Sequence, residues 1–167
     1  MAFGYRVANL RLTSGERLPL LLDSTTGVPL WSPTLFILTE LRAKNRASAT
    51  MLQATRAIMV AVQALKSMKV DLEKRLSEGR LLDLNEIDEL AGLAGLTQEA
   101  LDARLAAVAL DAPATRPRVL SLEKVRMGTK ASDEAPQVGV ETKAIRLTYI
   151  RDYVSWLARR KILTLDC

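Results

Sequence analysis

Residues 50–68, TMLQATRAIMVAVQALKSM, establish the helical character of this chain. Apolar side chains recur there at intervals of three and four residues, which predicts an α-helix with one face on the core. Thr50, followed by Gln53 three residues later, matches a capping box and predicts that the helix begins at Thr50. The same spacing places Arg56 and Gln63 on other faces. The predicted core positions are Met51, Ala54, Ile58, Val62, Leu65 and Met68.

A first helix is predicted immediately upstream of this segment. Ser32 followed by Pro33 is typical of an N-cap and a first helical position, so the helix is expected to begin there. An apolar stripe extends to Lys44, and Asn45 is a residue type that ends helices in a left-handed conformation. The two helices are thus joined by an elbow, residues 41–50, LRAKNRASAT.

The amino-terminal segment has the pattern of short strands. Residues 4–12 and 17–22 are predicted strands, because each is a short apolar stretch and Gly15 lies in a turn signal between them. Pro19 restricts the second strand to a sheet edge or to irregular structure. Residues 23–27, DSTTG, are a second predicted turn.

Three shorter helices are predicted after residue 70 from capping and stop signals. They are a helix over 71–78 stopped by Gly79, one capped by Asp83 with Glu86 and broken by Gly92 and Gly95, and one capped by Thr97 that carries Leu101, Leu105 and Val108.

The sequence therefore predicts a mainly α fold, a small bundle of four or more helices with a short amino-terminal β arm or hairpin. Residues 1–30 would form the β segment and residues 31–110 the bundle. Residues 111–137, which contain three prolines, are predicted to be a loop or linker. The last segment, 138–167, would complete the bundle with a helix over about 140–161.

Charge is unevenly distributed along the chain. The net charge is +5, with +5 in residues 36–80, −6 in residues 81–111 and +5 in residues 112–167. Basic blocks of this kind suit a polyanion such as DNA. They are equally typical of ordinary solvated helix faces.

Composition argues against several classes of function. Histidine is absent and the single cysteine is Cys167, which leaves few groups for general base catalysis or a transition-metal site. No catalytic residue, metal site or cofactor is predicted. No apolar run has the roughly 18 residues of a membrane span, and no signal peptide is recognised, so a cytoplasmic protein without a membrane partner is expected.

The elbow is the first candidate for a DNA contact. Unpaired amides at a helix amino terminus and the helix dipole favour an anion there. Cations and hydroxyls in the same stretch would help to hold a phosphate. The alternative is a capped helix start with solvated cations. The candidate residues are Arg42, Lys44, Arg46, Ser48 and Thr50.

The final helix offers a second candidate. Its predicted apolar stripe contains Val140, Ala144, Leu147, Val154, Leu157 and Ala158. A neighbouring flank combines arginines with aromatic rings, and Lys143 and Arg151 lie nearby. Such a flank can grip a nucleic-acid backbone, although the rings can equally pack in the core. The flank consists of Arg146, Tyr149, Tyr153, Trp156 and Arg160.

Taken in order, four segments resemble the amino-terminal region of tyrosine recombinases, the phage-integrase family. The resemblance covers most of residues 18–161. It rests on a "pl-D--G-P" entry, an "R--S--T" elbow and a later helix of the form "K--RL-YI--Y--WL". The four segments are LPLLLDSTTGVP, SPTLFILTELRAKNRASATMLQATRAIMVAVQAL, DLEKRLSEGRLLDLNEIDELA and KAIRLTYIRDYVSWLA.

The resemblance implies a SAM-like core-binding domain that closes over one face of a recombination site on double-stranded DNA. Contacts with other recombinase protomers are implied as well. The family's chemistry lies in a separate carboxy-terminal domain, so we expect this chain to be a truncated form or a fragment. Tyr149 and Tyr153 are not expected to be nucleophiles. The DNA-contacting positions carried over are Arg46, Ser48, Thr50, Arg56, Lys143 and Arg146.

A second interpretation remains open. The chain could be a non-catalytic helical protein-interaction module in which residues 81–111 and the aromatic flank face another protein. The acidic segment does not distinguish this interpretation from DNA binding, because it could equally face away from DNA.

Overall fold

The computed structural model describes residues 4–110 and 135–165, so most of the predicted linker lies outside the described residues. The predicted fold class is confirmed: the described chain is mainly helical, with an amino-terminal hairpin. Its elements are β1 (Tyr5–Arg11), β2 (Arg17–Asp23), α1 (Trp31–Phe36, continued by a wider π-helical turn over Ile37–Arg42), α2 (Ser48–Ser67), α3 (Leu72–Ser77), α4 (Leu84–Ala94), α5 (Gln98–Leu110) and α6 (Val140–Leu165).

The two strands form an antiparallel hairpin that shares the core of the bundle. Its register runs from Tyr5 opposite Asp23 to Arg11 opposite Arg17. Gly15 adopts a φ of 84° in the connecting turn, a conformation that costs glycine little. β2 contributes the core leucines Leu18 and Leu21.

Helix α2 lies at the centre of the molecule. It packs against the hairpin, α4, α5 and α6. Met51, Ile58 and Leu65 face one buried cluster, while Ala57 and Val60 face another. Small residues on the second face let the neighbouring helices approach closely, so a single helix supports two cores.

The predicted start of α2 is wrong by two residues. The helix begins at Ser48, its N-cap is Ala47, and no side chain caps it. Thr50 is therefore the third helical residue. A cap is a preference of about 1 kcal/mol, which packing of the 20-residue helix can override.

The predicted start of α1 is also displaced. The N-cap is Leu30 rather than Ser32, and the helix begins at Trp31. Ser32 is buried, and its hydroxyl donates a hydrogen bond to Glu73. The hydroxyl that was predicted to cap the helix thus bonds a residue distant in the sequence.

Three further residues show how the structure refines the predictions. Gly92 lies within α4, and only Gly95 follows its end, at the C-cap. Gln63 was predicted to lie on a face other than the core stripe, but that face is buried too: Gln63 is only 1% exposed, and its side-chain oxygen lies 3.4 Å from the side-chain amide nitrogen of Gln98. Val108 lies in α5, as predicted, but it is exposed, whereas Leu101 and Leu105 are buried.

The buried face of α6 is centred on its aromatic residues. The predicted stripe is wrong at its amino-terminal end, where Val140 is 87% exposed and Ala144 is also exposed. Tyr153 and Trp156 are buried instead, as the aromatic-packing alternative predicted. Burial, and then the charge of Glu73, raises the pKa of Tyr153 far above its ordinary value. Its phenol is thus a neutral core group.

None of the helices in 4–110 and 135–165 is both long enough and apolar enough to cross a membrane.

An ion pair between α3 and α4 predicts a pH-dependent contribution to stability. Arg75 donates to Glu86 at 2.7 Å, and the Asp83 N–H donates to the same carboxylate at 2.9 Å. Both contacts hold the pKa of Glu86 below its ordinary value. A carboxyl with a lowered folded-state pKa stabilises the fold above its unfolded pKa, and this contribution is lost as pH falls through the folded pKa.

We therefore expect Glu86→Gln to be less stable than the wild type at neutral pH, with a gap that closes below about pH 4. Urea unfolding of both proteins from about pH 7 to about pH 3 would measure this. A gap that stays constant across this range would show that the carboxylate charge does not contribute.

Candidate nucleic-acid interface

The elbow contains a hydrogen-bonded turn. Asn45 has a φ of 53°, which confirms its predicted left-handed conformation. Its N–H donates to the carbonyl of Arg42 at 2.9 Å, and the N–H of Arg46 donates to the carbonyl of Leu41 at 3.0 Å. This pair of bonds is a Schellman motif, which satisfies the last carbonyls of the preceding helix. The backbone that carries Arg42, Lys44 and Arg46 is thus held by hydrogen bonds.

Two elbow cations are paired within the chain. Arg42 makes a two-pronged contact with Glu16, with both N–O distances at 2.9 Å. This contact lowers the pKa of Glu16 and raises that of Arg42. Lys44 lies 2.6 Å from Glu40, one helical turn earlier. Their carboxylates cancel much of the positive charge that the sequence places here.

The amino terminus of α2 is the most anion-receptive part of the elbow. Its first turn contains no acidic residue, and its first amides receive no side-chain cap. Ser48 and Thr50 bring hydroxyl groups to this turn. Arg46 is exposed beside it and forms no ion pair with another residue of the described chain. Open amides, hydroxyls and an unpaired cation are the groups that bind a phosphate.

A shallow groove extends this surface from α2 to the start of α6. The exposed Arg56 stands on its α2 side and, like Arg46, has no carboxylate partner among the described residues. The structure thus brings the α2 terminus and the amino-terminal part of α6 together, as the DNA-binding hypothesis requires. The groove is lined by Ala49, Thr50, Leu52, Gln53, Arg56, Ala57, Thr142, Ile145 and Arg146.

Arg146 reaches this groove but is held by the protein. Its guanidinium donates to the carbonyl of Leu96 at 2.7 Å and to that of Ala94 at 3.1 Å. Ala94 is the last residue of α4, where the helix dipole is negative, and Leu96 follows it by two residues. Partial burial lowers the pKa of Arg146. Arg146 therefore joins α4 to α6, and a phosphate would have to share its remaining donors.

Two residues predicted to contact DNA do not line this groove. Lys143 lies with its aliphatic stem against Gly95. Arg160 stacks over the ring of Trp156 at 5.5 Å. It follows Arg146 by 14 residues of one helix, about 21 Å along the axis. Arg160 is too distant to share a phosphate with the α2 terminus.

Sequence reasoning missed the carboxylates that pair with the elbow cations and two of the residues that line the groove. Glu40 precedes Lys44 by four residues, a spacing at which helical ion pairs form, so this pair was readable from the sequence. Glu16 is 26 residues from Arg42, and no local signal links them. Gln53 and Thr142 also line the groove. Gln53 was noted only as a capping residue, and no sequence signal pointed to Thr142.

Within residues 4–110 and 135–165, no group of three or more acidic or cysteine side chains is arranged to hold a metal ion.

Comparisons of the chain with protein-family models, with curated proteins and with solved structures gave no significant match.

Proposed function

We propose that this chain is a DNA-binding module, corresponding to the core-binding region of a tyrosine recombinase. The observation that carries the DNA-binding part is the open amino terminus of α2 with Arg46 and Arg56, neither paired with a described carboxylate. The recombinase part is supported by the order of the four segments that resemble that family.

In this proposal a phosphate lies at the first turn of α2. The unpaired amides and the hydroxyls of Ser48 and Thr50 donate to it, while Arg46 holds the same or the next phosphate. Arg56 lies two turns further along α2 and contacts the backbone across the groove. Such contacts set the position of DNA without reading its sequence, and strand cleavage belongs to a separate domain.

Binding to a mixed-sequence duplex across a series of salt concentrations tests the proposal. Replacing both Arg46 and Arg56 with Ala should reduce the slope of log K against log salt by roughly 1.8, about 0.9 for each phosphate that an arginine no longer neutralises. Binding should weaken by similar factors on unrelated duplexes. Exposed substitutions of this kind change stability by no more than about 0.5 kcal/mol, which thermal unfolding would verify.

Arg6→Ala combined with Arg104→Ala is the matched control, because it removes the same charge from exposed sites elsewhere. Arg6 lies next to Tyr5, whose ring contacts Lys66 near the far end of α2. That end is about 27 Å from Ser48 along the helix axis. An unchanged slope in the elbow variant, or an equal decline in the control, would contradict a phosphate clamp at this site.

A further inference from the structure

An apolar groove separates α4 from α6 on another side of the bundle. Its walls are formed by Leu81, Leu82, Ile87, Leu90 and Ala91 with Leu147, Ile150 and Val154, and Thr148, Arg151 and Ser155 complete its lining. Beside it, Leu84 is 81% exposed and Leu81 is 60% exposed. Contiguous exposed apolar side chains of this kind mark a surface that another molecule covers.

The helices on the two sides of this groove present exposed side chains of opposite charge. On α4, Asp88 is exposed on the outer ridge of the helix, between this groove and a second cleft that it lines with Arg104, and helical spacing places it beside the groove residue Ala91. On α6, Arg151 is exposed at the groove. Its ion pair with the adjacent Asp152 is itself exposed, and such pairs contribute little, so Arg151 is available to another partner.

The charged residues also lie at the same level along the groove. Arg146 binds the carbonyl of Ala94 at one end, while Val154 lines the groove with Leu82 at the other. Helices α4 and α6 therefore run antiparallel. Residue 88 is midway between residues 82 and 94, so it lies opposite about residue 150 of α6, which is midway between 146 and 154. Asp88 and Arg151 are therefore at nearly the same height along the groove.

We propose that a second copy of this chain covers the groove, in a two-fold symmetric dimer whose axis runs parallel to the groove. This rotation keeps each residue at the same height along the groove and places the α4 side of one copy over the α6 side of the other. Asp88 then faces the partner subunit's Arg151, twice in each dimer, and Leu84 is buried between the copies. A two-fold axis across the groove would instead place the acidic α4 side of one copy against that of the other, which like charges disfavour.

The surface is thus self-complementary in both charge and apolar character, as a two-fold interface requires. Dimer formation needs neither DNA nor the elbow. A chain that binds DNA but stays monomeric would therefore contradict only the dimer, and a chain that dimerises but does not bind DNA would contradict only the proposed function.

Analytical ultracentrifugation of the full chain over a concentration series tests the dimer. The mass should rise from 18.4 kDa towards twice that value as concentration increases. Leu84→Glu should weaken association by about tenfold or more, because a carboxylate would be buried between the copies. Leu84 is mostly exposed in one chain, so thermal unfolding of dilute protein should not change. Trp31→Ala, at an exposed site away from the groove, is the matched control and should dimerise normally.

Charge reversal tests the orientation. Asp88→Arg and Arg151→Glu should each weaken dimerisation by about tenfold, and the protein carrying both changes should recover nearly wild-type association. A chain that stays monomeric at every concentration, or a Leu84→Glu protein that dimerises like the wild type, would overturn the proposal. Failure of the double reversal to restore association would overturn the proposed two-fold axis.

Discussion

Replacing Phe36 with Ala should lower the free energy of unfolding by about 3–5 kcal/mol, the usual cost of removing a buried phenylalanine ring. Phe36 is almost completely buried at the end of α1. Its ring meets Tyr153 edge-on at 5.5 Å and Trp156 edge-on at 5.6 Å, and both rings lie on α6. The substitution would leave a cavity at the junction of two helices distant in sequence.

Chemical denaturation, followed by circular dichroism, would measure this decrease. Trp31→Ala is the control, because Trp31 is an aromatic residue of the same helix but is 74% exposed. It should change stability by no more than about 0.5 kcal/mol. Similar decreases in the two variants would contradict the assignment of Phe36 as the link between α1 and α6.

Replacing Arg146 with Ala should cost about 2 kcal/mol of stability in the absence of DNA, a typical value for hydrogen bonds that involve a charged group. The substitution removes two hydrogen bonds and leaves the carbonyls of Ala94 and Leu96 without this donor. Arg146→Lys should recover part of this stability, because one guanidinium nitrogen, Nη1, makes both bonds and an ammonium group also has several donors, but the shorter lysine side chain does not bring them to the same position.

Arg56→Ala provides the matched control for this experiment. It removes an arginine from the same groove, but an exposed one with no ion pair among the described residues, so its effect should stay within about 0.5 kcal/mol. Unchanged stability in Arg146→Ala would mean that the guanidinium is not needed between α4 and α6. Arg146 would then be fully available to a phosphate.

Features that depend on neighbouring residues were predicted well from the sequence. Three such features are the left-handed residue Asn45, the helix stop at Gly79 and the contact of Glu86 at the start of α4. Each depends on a hydrogen bond from a backbone N–H to a group three to five residues away. The elbow was likewise located correctly, together with its cations. The acidic partner of Lys44 could also have been predicted from the sequence, because Glu40 precedes it by four residues, one helical turn.

The starts of α1 and α2 were predicted less well than those of α3, α4 and α5. Ser32 and Thr50 are good capping residues by type, yet neither caps its helix. Ser32 instead bonds Glu73, which is 41 residues away. A capping preference of about 1 kcal/mol is small beside the burial of a helix face, so tertiary packing decides where the helix begins.

The sequence by itself determined the helical class, the hairpin and the turn that holds the elbow cations, because periodicity and turn chemistry act over a few residues. Only the tertiary structure decided which cations are available and which face of α6 is buried. Arg42 is neutralised by a carboxylate 26 residues away, and Arg146 is held by a carbonyl 50 residues away. Such contacts exist only once the helices have packed, since side chains so far apart in the chain meet through the fold alone.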